Sequence, residues 1–320
     1  MKRISRKEVM KYLFSHDLTP EITVEPREEF TIETEDALSG RIRTKDDLPT
    51  PALMGDLWER KPRLSNPLSG PVFVKGAERG DVLVVRVIDV IPAEQGFTCF
   101  APRMGPLGDS VNWTECRGPY THIIKHIPGP SGTTSDGKGI FSPKIIWDLK
   151  PFIGSIGVAP DVEIETSAVG QGPWGGNMDC RDVCKGSRVY LPVYHKGGLL
   201  FVGDVHATQA DSEFYGVADE TRAEVTLSCD VIKNKTIPWV RIEKANSIIQ
   251  LNSYRPLEHA ITQAFLWLMD WLVTEHKVEK KEAYMHMSVN PDVRINVYQM
   301  VPLDRIQYTV GVEFPKKYLV

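Results

Sequence analysis

The chain has 320 residues, of which 42% are hydrophobic and 25% charged, and its formal net charge is −4. This is the composition of an ordinary globular protein, and neither a basic stripe nor a charged tail favours binding to nucleic acid or to an anionic membrane. We therefore expect neither partner.

The N-terminal segment predicts a short helix and no signal peptide. Glu8 and Lys11 interrupt the apolar residues where the core of a signal peptide would lie. Ser5 and Glu8 have the spacing of a capping box, and the inner face of the predicted helix contains Val9, Met10 and Leu13. The five cysteines, an odd number in a chain without an export signal, indicate reduced thiols and a cytoplasmic location.

Most of the chain before residue 255 is predicted to form short strands separated by glycine and proline. The clearest are Glu29–Glu33, Asp81–Val90, Arg188–Val193, Leu199–His206 and Ala223–Val231. The stretch from Pro92 to Trp147 is rich in glycine and proline with little periodicity, and it is predicted to form long loops.

The pattern changes near Arg255. A helix is predicted from Pro256, because apolar residues then recur at helical spacing through Leu272. A second helix over Lys280–Met287 and strands over Arg294–Met300 and Ile306–Val312 follow. The predicted fold is mainly β, with sandwich- or barrel-like sheets and long loops in residues 1–254. A smaller C-terminal α/β part, residues 255–320, is expected to pack on it.

Candidate chemistry lies in the strand Leu199–His206. Side chains two apart share one face of a strand, so Asp204 and His206 are expected to point the same way from an apolar strand. A buried carboxylate costs several kcal/mol unless it is paired or bound to a cation. Carboxylate oxygen with imidazole nitrogen suits Zn²⁺ or a similar divalent ion, although on spacing alone an ordinary salt bridge or a core histidine is the commoner explanation.

Further acids surround this strand, and few lysines or arginines lie among them. These acids are Asp179, Asp211, Glu213, Asp219 and Glu220. Such a concentration of carboxylates requires a counter-charge. The glycines before Asp179, in Gly175-Gly176-Asn177, predict a tight turn whose backbone N–H groups are candidate oxyanion donors.

At these residues the sequence resembles the acetamidase/formamidase family. The matching segments include Gly175–Asp179, Leu191–Val193, Gly198–Phe201, Gly203–Glu213 with Glu220, and Gly70–Asp81. Further matches are Asp36–Gly40 and Glu282–Tyr284 with Ser288 and Asp292. The resemblance is nearly full length.

The resemblance implies a β-rich, metal-associated enzyme that converts small amides, such as formamide and acetamide, into a carboxylate and ammonia. The metal-ligand candidates are then Asp179, Asp204, His206 and Glu220, and the catalytic candidates are Glu213, as general base, and Asp211. Gly176 and Asn177 are the candidate substrate or oxyanion residues. The cofactor is expected to be a divalent metal, first zinc, with calcium or another divalent ion as alternatives. We further expect a homo-oligomer.

One departure from the family pattern concerns the substrate. The family's G-D-G-E is Ala210-Asp211-Ser212-Glu213 here, so two glycines have gained a Cβ. We expect a changed substrate rather than a lost activity. A β-rich binding protein without activity is the alternative. Two other amidase chemistries predict a serine nucleophile, for which Ser131 lies in an unsuitable context, or a cysteine nucleophile such as Cys184 beside Lys185.

Overall fold

The computed structural model describes residues 1–6 and 10–319. Its first strands are β1 (Lys2–Ile4), β2 (Leu13–Phe14), β3 (Ile22–Val24), β4 (Glu29–Thr34), β5 (Leu68–Val74), β6 (Val82–Pro92), β7 (Gln95–Phe100), β8 (Tyr120–Ile127), β9 (Lys138–Ser142) and β10 (Ile145–Asp148). The later ones are β11 (Phe152–Val158), β12 (Glu165–Thr166), β13 (Gln171–Gly172), β14 (Gly175–Asn177), β15 (Arg188–Pro192), β16 (Leu200–His206), β17 (Ala223–Ile232), β18 (Arg241–Glu243), β19 (Ser247–Tyr254), β20 (Arg294–Gln299) and β21 (Tyr308–Pro315). The α-helices are α1 (Pro51–Glu59), α2 (Leu257–Thr274) and α3 (Lys280–Val289).

Two large sheets form the centre of the molecule. One has nine strands in the order β1-β4-β17-β6-β15-β18-β19-β21-β20, and the other has six in the order β13-β14-β11-β16-β5-β3. One continuous buried cluster contains apolar side chains of both sheets, including Val85 and Leu227 from the first and Ile156 and Val202 from the second. The sheets therefore pack face to face as a sandwich. The predicted strands agree with β4, β6, β15, β16 and β17 to within two residues at each end.

The C-terminal segment extends the larger sheet. Strands β21 and β20 follow β19 at the edge of this sheet, helix α2 packs on β19 and β21, and helix α3 packs on α2. The helical face predicted from the apolar spacing is confirmed: Leu268 and Leu272 are fully buried against Val310 and Val312. The prediction of a mainly β protein with a smaller C-terminal α/β part is thus confirmed. None of the helices in the described ranges has the length and apolar character that crossing a membrane requires.

The prediction of long loops from Pro92 to Trp147 was wrong in four segments, each of which is a strand. Strands β7 to β10 form a four-stranded antiparallel sheet, in which β7 pairs with β8 from Gln95–Lys125 to Phe100–Tyr120. Strands β7 and β8 pair across nineteen intervening residues, and local periodicity does not reveal such a pairing. Residues 101–119 and 128–137 lack strands, as expected.

The predicted N-terminal helix is also wrong where the structure describes the chain. Glu8 and Val9 lie outside the described residues. Leu13 lies in β2, and Lys11 forms an isolated bridge with Leu68. The extended conformation satisfies the backbone of Lys11 through two hydrogen bonds with Leu68, at 2.9 and 2.7 Å.

Candidate functional site

Strand β16 brings Asp204 and His206 together, as their spacing predicted. Asp204 Oδ1 lies 3.5 Å from His206 Nε2, and each side chain is 1% exposed. Asp204 has a positive φ of 54°, which interrupts the regular pleat of the strand. Such a conformation costs a non-glycine residue about 1–3 kcal/mol and is concentrated at functional sites.

Asp179 and Glu220 complete the group around this imidazole. Asp179 follows β14, and its Oδ1 lies 3.9 Å from His206 Nε2. Glu220 Oε2 lies 3.3 Å from the same nitrogen. The backbone of Glu220 is fixed by reciprocal hydrogen bonds with Phe97 in β7, at 2.8 and 3.0 Å. The four predicted metal-ligand candidates are therefore gathered around Nε2 of His206, and Asp179, Asp204 and His206 form a first set of possible ligand atoms.

The backbone of β11 packs so closely against this group that Gly154 has no room for a side chain. A Cβ at Gly154 would lie 2.6 Å from the Asp204 carbonyl oxygen and 2.7 Å from Asp179 Oδ1. Only glycine allows β11 to approach both carboxylates.

Each carboxylate of this group has one oxygen held by the protein. Asp204 Oδ2 accepts from Asn66 Nδ2 at 2.7 Å and from Ser155 Oγ at 3.2 Å. Asp179 Oδ2 accepts from Gln299 Nε2. Glu220 Oε1 accepts from the Ala218 amide at 3.1 Å. These hydrogen bonds fix the direction of the second oxygen of each group.

The second oxygens, which are Asp179 Oδ1, Asp204 Oδ1 and Glu220 Oε2, are buried and have no hydrogen-bond partner. Among the described residues, no lysine or arginine lies within ion-pair distance of these three carboxylates. Leaving a buried acceptor unsatisfied costs about 1–3 kcal/mol, and more when it is charged. Three such atoms facing one imidazole nitrogen indicate that a positive charge belongs between them.

The hydrogen bonds of His206 determine which nitrogen faces the acids. Its Nδ1 lies 2.9 Å from Gln209 Oε1. The Gln209 Nε2 donates to the carbonyl oxygens of Asp179 and Tyr298, so its Oε1 must be the atom facing the ring. An amide oxygen accepts, and Nδ1 therefore carries the proton. In the neutral imidazole, Nε2 offers its lone pair to the space between the carboxylates.

Glu213 joins this group and Asp211 does not. Both lie in one 3₁₀ turn, where Ser212 and Glu213 have positive φ values of 70° and 47°. Glu213 is buried. Its carboxylate forms a second set of possible metal-ligand atoms together with His206 and Glu220. Asp211 points outward, with its side chain 73% exposed and paired with Arg181. The structure thus does not bring Asp211 into the site.

The acids of the group perturb one another. Burial and the neighbouring charge of Asp204 raise the pKa of Asp179 to about 7. Burial, followed by the charge of Asp179, raises the pKa of Glu213 well above its usual value. Burial alone would lower the pKa of His206, but the charges of Glu220 and Asp204 outweigh it and raise that pKa. The group therefore holds protons tightly when no cation is present.

The segment predicted to form a tight turn with oxyanion donors, Gly175-Gly176-Asn177, is strand β14. Gly176 pairs with both Ile156 of β11 and Gln171 of β13, and the Asn177 amide donates to the Gly170 carbonyl at 2.9 Å. The amide of Asn177 is therefore not free to stabilise an oxyanion, because it already has a partner. The Asn177 side chain does line the site cavity.

The group lies in the lining of a cavity of about 390 Å³. The buried polar residues of this cavity are Ser65, Asn177, Asp179, Asp204, His206, Glu213, Glu220 and Gln299. A larger cavity of about 1060 Å³ adjoins it, and Glu213 lines both. Ala210 lines the larger cavity, whereas Ser212 lines neither. The two added side chains therefore do not occupy the cavity that contains the acids.

The rival nucleophiles lie in unsuitable surroundings. Ser131 is exposed and donates to Asp136 Oδ1 at 2.5 Å within its own loop. Burial raises the pKa of the Cys184 thiol, which disfavours the reactive thiolate. Lys185, its neighbour, is paired with Asp89 at 3.0 Å.

Three residues that orient the site were not predicted from the sequence. They are Asn66, Ser155 and Gln299, which lie 138, 49 and 120 residues from the acids that they contact. Their local sequence carries no periodic or motif signal. Only the order of strands in the two sheets brings them to the acids.

Known proteins are similar to this chain in the segments that carry the candidate metal ligands. The sequence model of the acetamidase/formamidase family matches residues 2–172 and 167–258. The structure is similar to that of an acetamidase from Yersinia enterocolitica, with a TM-score of 0.84 and 33% identity, covering 98% of this chain and 91% of that one. It is also similar to an acetamidase from Bacillus halodurans, with a TM-score of 0.85 and 28% identity, covering 99% and 98%.

Curated relatives show the same similarity over shorter alignments. An acetamidase from Mycolicibacterium smegmatis is 27% identical over 270 residues, covering 68% of this chain and 64% of that protein. The chain spans 52% to 64% of the length of the three curated relatives that it matches.

Proposed function

This chain belongs to the acetamidase/formamidase family, and from that premise we propose that it hydrolyses the carbon–nitrogen bond of linear carboxamides at a divalent metal. Water and the amide give a carboxylate and ammonia. The proposed ligands are Asp179, Asp204, His206 and Glu220, and Glu213 is the proposed general base.

The observation that carries this proposal is a set of three buried carboxylate oxygens that have no hydrogen-bond partner and face one imidazole nitrogen. The oxygens belong to Asp179, Asp204 and Glu220, and the nitrogen is Nε2 of His206. Their opposite ends are held by hydrogen bonds, as the outer partners of metal ligands usually are. A purely structural ion pair would not leave three buried acceptors unsatisfied.

The donor set favours zinc. One imidazole nitrogen with carboxylate oxygens is a usual zinc environment, whereas calcium takes six to eight oxygen ligands. Glu213 adds a further oxygen near His206, and it is the residue that either a larger coordination sphere or a second ion would use.

The residues of the chain then have distinct tasks in the reaction. A bound divalent metal would supply a Lewis acid for the amide carbonyl and a lower pKa for water. Glu213, with its raised pKa, would take a proton from the attacking water and pass one to the departing nitrogen. Gln209 holds the proton of the neutral His206 imidazole on Nδ1, which leaves the Nε2 lone pair for a metal, and the burial of the group excludes bulk water from it.

The test is to measure the metal content of the purified protein and its release of ammonia from formamide, acetamide and longer amides. We expect about one or two divalent ions per chain and turnover that a chelator abolishes and zinc restores. Full activity in protein without stoichiometric metal would refute the metal-dependent reaction.

The alternative is a binding protein of the same fold without amidase activity, which the two added side chains at Ala210 and Ser212 first suggested. Retention of every acid of the group argues against it, because unneutralised buried carboxylates destabilise a fold. Metal-loaded protein that hydrolyses no amide would favour this alternative.

Two further properties stay predictions. A homo-oligomer is supported by the exposed side chains of Tyr284, Met285 and Val289 on α3, which are 70%, 58% and 75% exposed. Light scattering on the purified protein tests it. The cytoplasmic location rests on the cysteine count, and the cysteines of the chain are all free in the structure.

A further inference from the structure

The cavity above the metal-ligand candidates has a polar floor and apolar walls. The floor consists of the buried acids and His206, whose side chains are at most 7% exposed. The walls include Leu38, Trp58, Val169, Val301 and Ile306. The wall residues come from four segments: the loop after β4, helix α1, the loop after β12 and the loop after β20. The scaffold that presents the acids is therefore separate from the segments that shape the walls.

The cavity is too large for a two-carbon amide. Its volume of about 390 Å³ lies in the range of pockets that enclose drug-sized ligands, roughly 300–1,000 Å³. At about 30 Å³ for each water-sized group, it holds roughly a dozen, whereas acetamide has four heavy atoms. Acetamide bound at the floor would leave most of the apolar walls in contact with water.

We propose that this protein hydrolyses carboxamides whose acyl group is apolar and larger than acetyl, of roughly five to eight carbons. The inference rests on the proposed amidase function and specifies its substrate class. The carboxamide lies at the floor, and the acyl group extends along the walls toward the cavity mouth. In the reaction R–CO–NH₂ + H₂O → R–COO⁻ + NH₄⁺, the C–N bond breaks, a C–O bond to water forms, and protons from the water and the new acid pass to the nitrogen.

Contact with the apolar walls determines how strongly the protein should prefer longer acyl groups. Each methylene that moves from water to an apolar surface favours binding by about fourfold. Acetamide has no methylene that could contact the walls and gains nothing in this way. A hexanoyl group has four more carbons than an acetyl group, and each of the four added methylenes can contribute the gain. The preference should therefore rise with acyl length until the cavity is filled and then fall sharply.

Two arginines, Arg63 and Arg103, line the cavity, and only one of them has an ion-pair partner among the described residues. Arg63 is paired with Asp304 at 2.9 Å. Arg103 is exposed at the rim, and among the described residues it has no carboxylate within ion-pair distance. A substrate with a terminal carboxylate would have to reach Arg103, and this possibility is an arm of the test.

The test is the kcat/KM of the metal-loaded protein for acetamide, butyramide, hexanamide, phenylacetamide and succinamate. We expect about a fourfold gain per methylene from acetamide to hexanamide. Equal or falling values beyond acetamide would overturn the inference, and so would a preference for succinamate, which would assign specificity to Arg103. No turnover of any amide would refute the proposed function instead. Thermal stabilisation by hexanoate compared with acetate would then still decide whether the walls bind a longer acyl group.

Two variants locate the preference in the walls. Leu38→Trp replaces a half-buried leucine of the wall by a larger side chain with an indole ring, which should reduce the space for a long acyl group. We expect it to lower the ratio of hexanamide to acetamide kcat/KM by at least tenfold. Leu266→Trp, on the exposed face of α2 and outside both cavities, is the matched control and should leave the ratio unchanged. An unchanged ratio in folded, metal-loaded Leu38→Trp protein would contradict the assignment of these walls.

Discussion

Gln209 Oε1 accepts the Nδ1 proton of His206 at 2.9 Å, and in the neutral imidazole this contact leaves Nε2 with a lone pair that faces the three carboxylates. The same Gln209 side chain donates to the Asp179 and Tyr298 carbonyls, so it also joins the segment that carries Asp179 to the loop that follows β16. The imidazole and one of its neighbouring acids are therefore oriented by a single amide.

The first prediction concerns this amide. We expect Gln209→Ala to weaken metal binding by about 10–100-fold, the usual effect of removing an outer partner of a metal-bound histidine. Isothermal titration with zinc measures it. Gln263→Ala, a half-buried glutamine on α2 outside both cavities, is the control and should bind as the wild type does. Unaltered zinc affinity in Gln209→Ala would show that the imidazole is oriented by other contacts.

The second prediction compares two acids of the same turn. Glu213→Gln should lower kcat by roughly 10²–10⁴ while the protein keeps its fold, because the general base is lost. Asp211→Asn should stay within a few-fold of the wild type, since its side chain is 73% exposed and outside the site. Metal content is measured for both variants. Loss of metal in Glu213→Gln would make Glu213 a ligand, and a large loss of kcat in Asp211→Asn would restore the sequence-based assignment.

The third prediction concerns pH in the metal-free protein. The pKa of Asp179 is raised by burial and by Asp204 to about 7, compared with about 3.9 in the unfolded chain. Between these values the folded state keeps a proton that the unfolded state releases, so the free energy of unfolding should fall as pH rises from about 4 to 7. The raised pKa of His206 acts in the same direction, because its stabilising charge is lost as pH rises through the folded value.

Urea unfolding in a chelator, at several pH values, measures this effect. Subtracting the same series for Asp179→Asn isolates the contribution of Asp179. Added zinc should reverse the trend, because metal binds the deprotonated ligands and its stabilisation grows with pH. A metal-free protein whose stability, relative to Asp179→Asn, increases from pH 4 to 7 would contradict the assignment.

The fourth prediction concerns the two residues that replace family glycines. Ser212 has a φ of 70° and Ala210 a φ of −79°. Ser212→Gly should therefore stabilise the protein by about 0.5–1 kcal/mol through relief of backbone strain, whereas Ala210→Gly should destabilise it slightly by adding freedom to the unfolded chain. Thermal unfolding of the metal-loaded variants tests this. Because neither side chain lines the acid-containing cavity, we expect little change in amide preference, and a pronounced swing would show that the turn shapes the pocket indirectly.

The sequence predicted the parts of the site that lie on one continuous strand or carry a family motif. Asp204 and His206 could be paired because a strand has a period of two residues. Asn66 and Gln299 could not be found in this way, because their contacts with Asp204 and Asp179 depend on how distant strands pack. The same reason explains the missed sheet β7 to β10, whose strands are defined by partners rather than by their own periodicity.

The reciprocal pairing of Glu220 with Phe97 has a consequence for the cooperativity of the molecule. Glu220 offers one oxygen to the candidate metal position, while its backbone forms a bridge to the first strand of the four-stranded sheet. At Gly96, a Cβ would lie 2.8 Å from the Glu220 carbonyl oxygen, so the two segments have little freedom to separate. Because of this bridge, an ion that binds the Glu220 carboxylate also restrains β7. Local opening of β7, seen as hydrogen exchange of its amides, should therefore become rarer as the ion concentration rises.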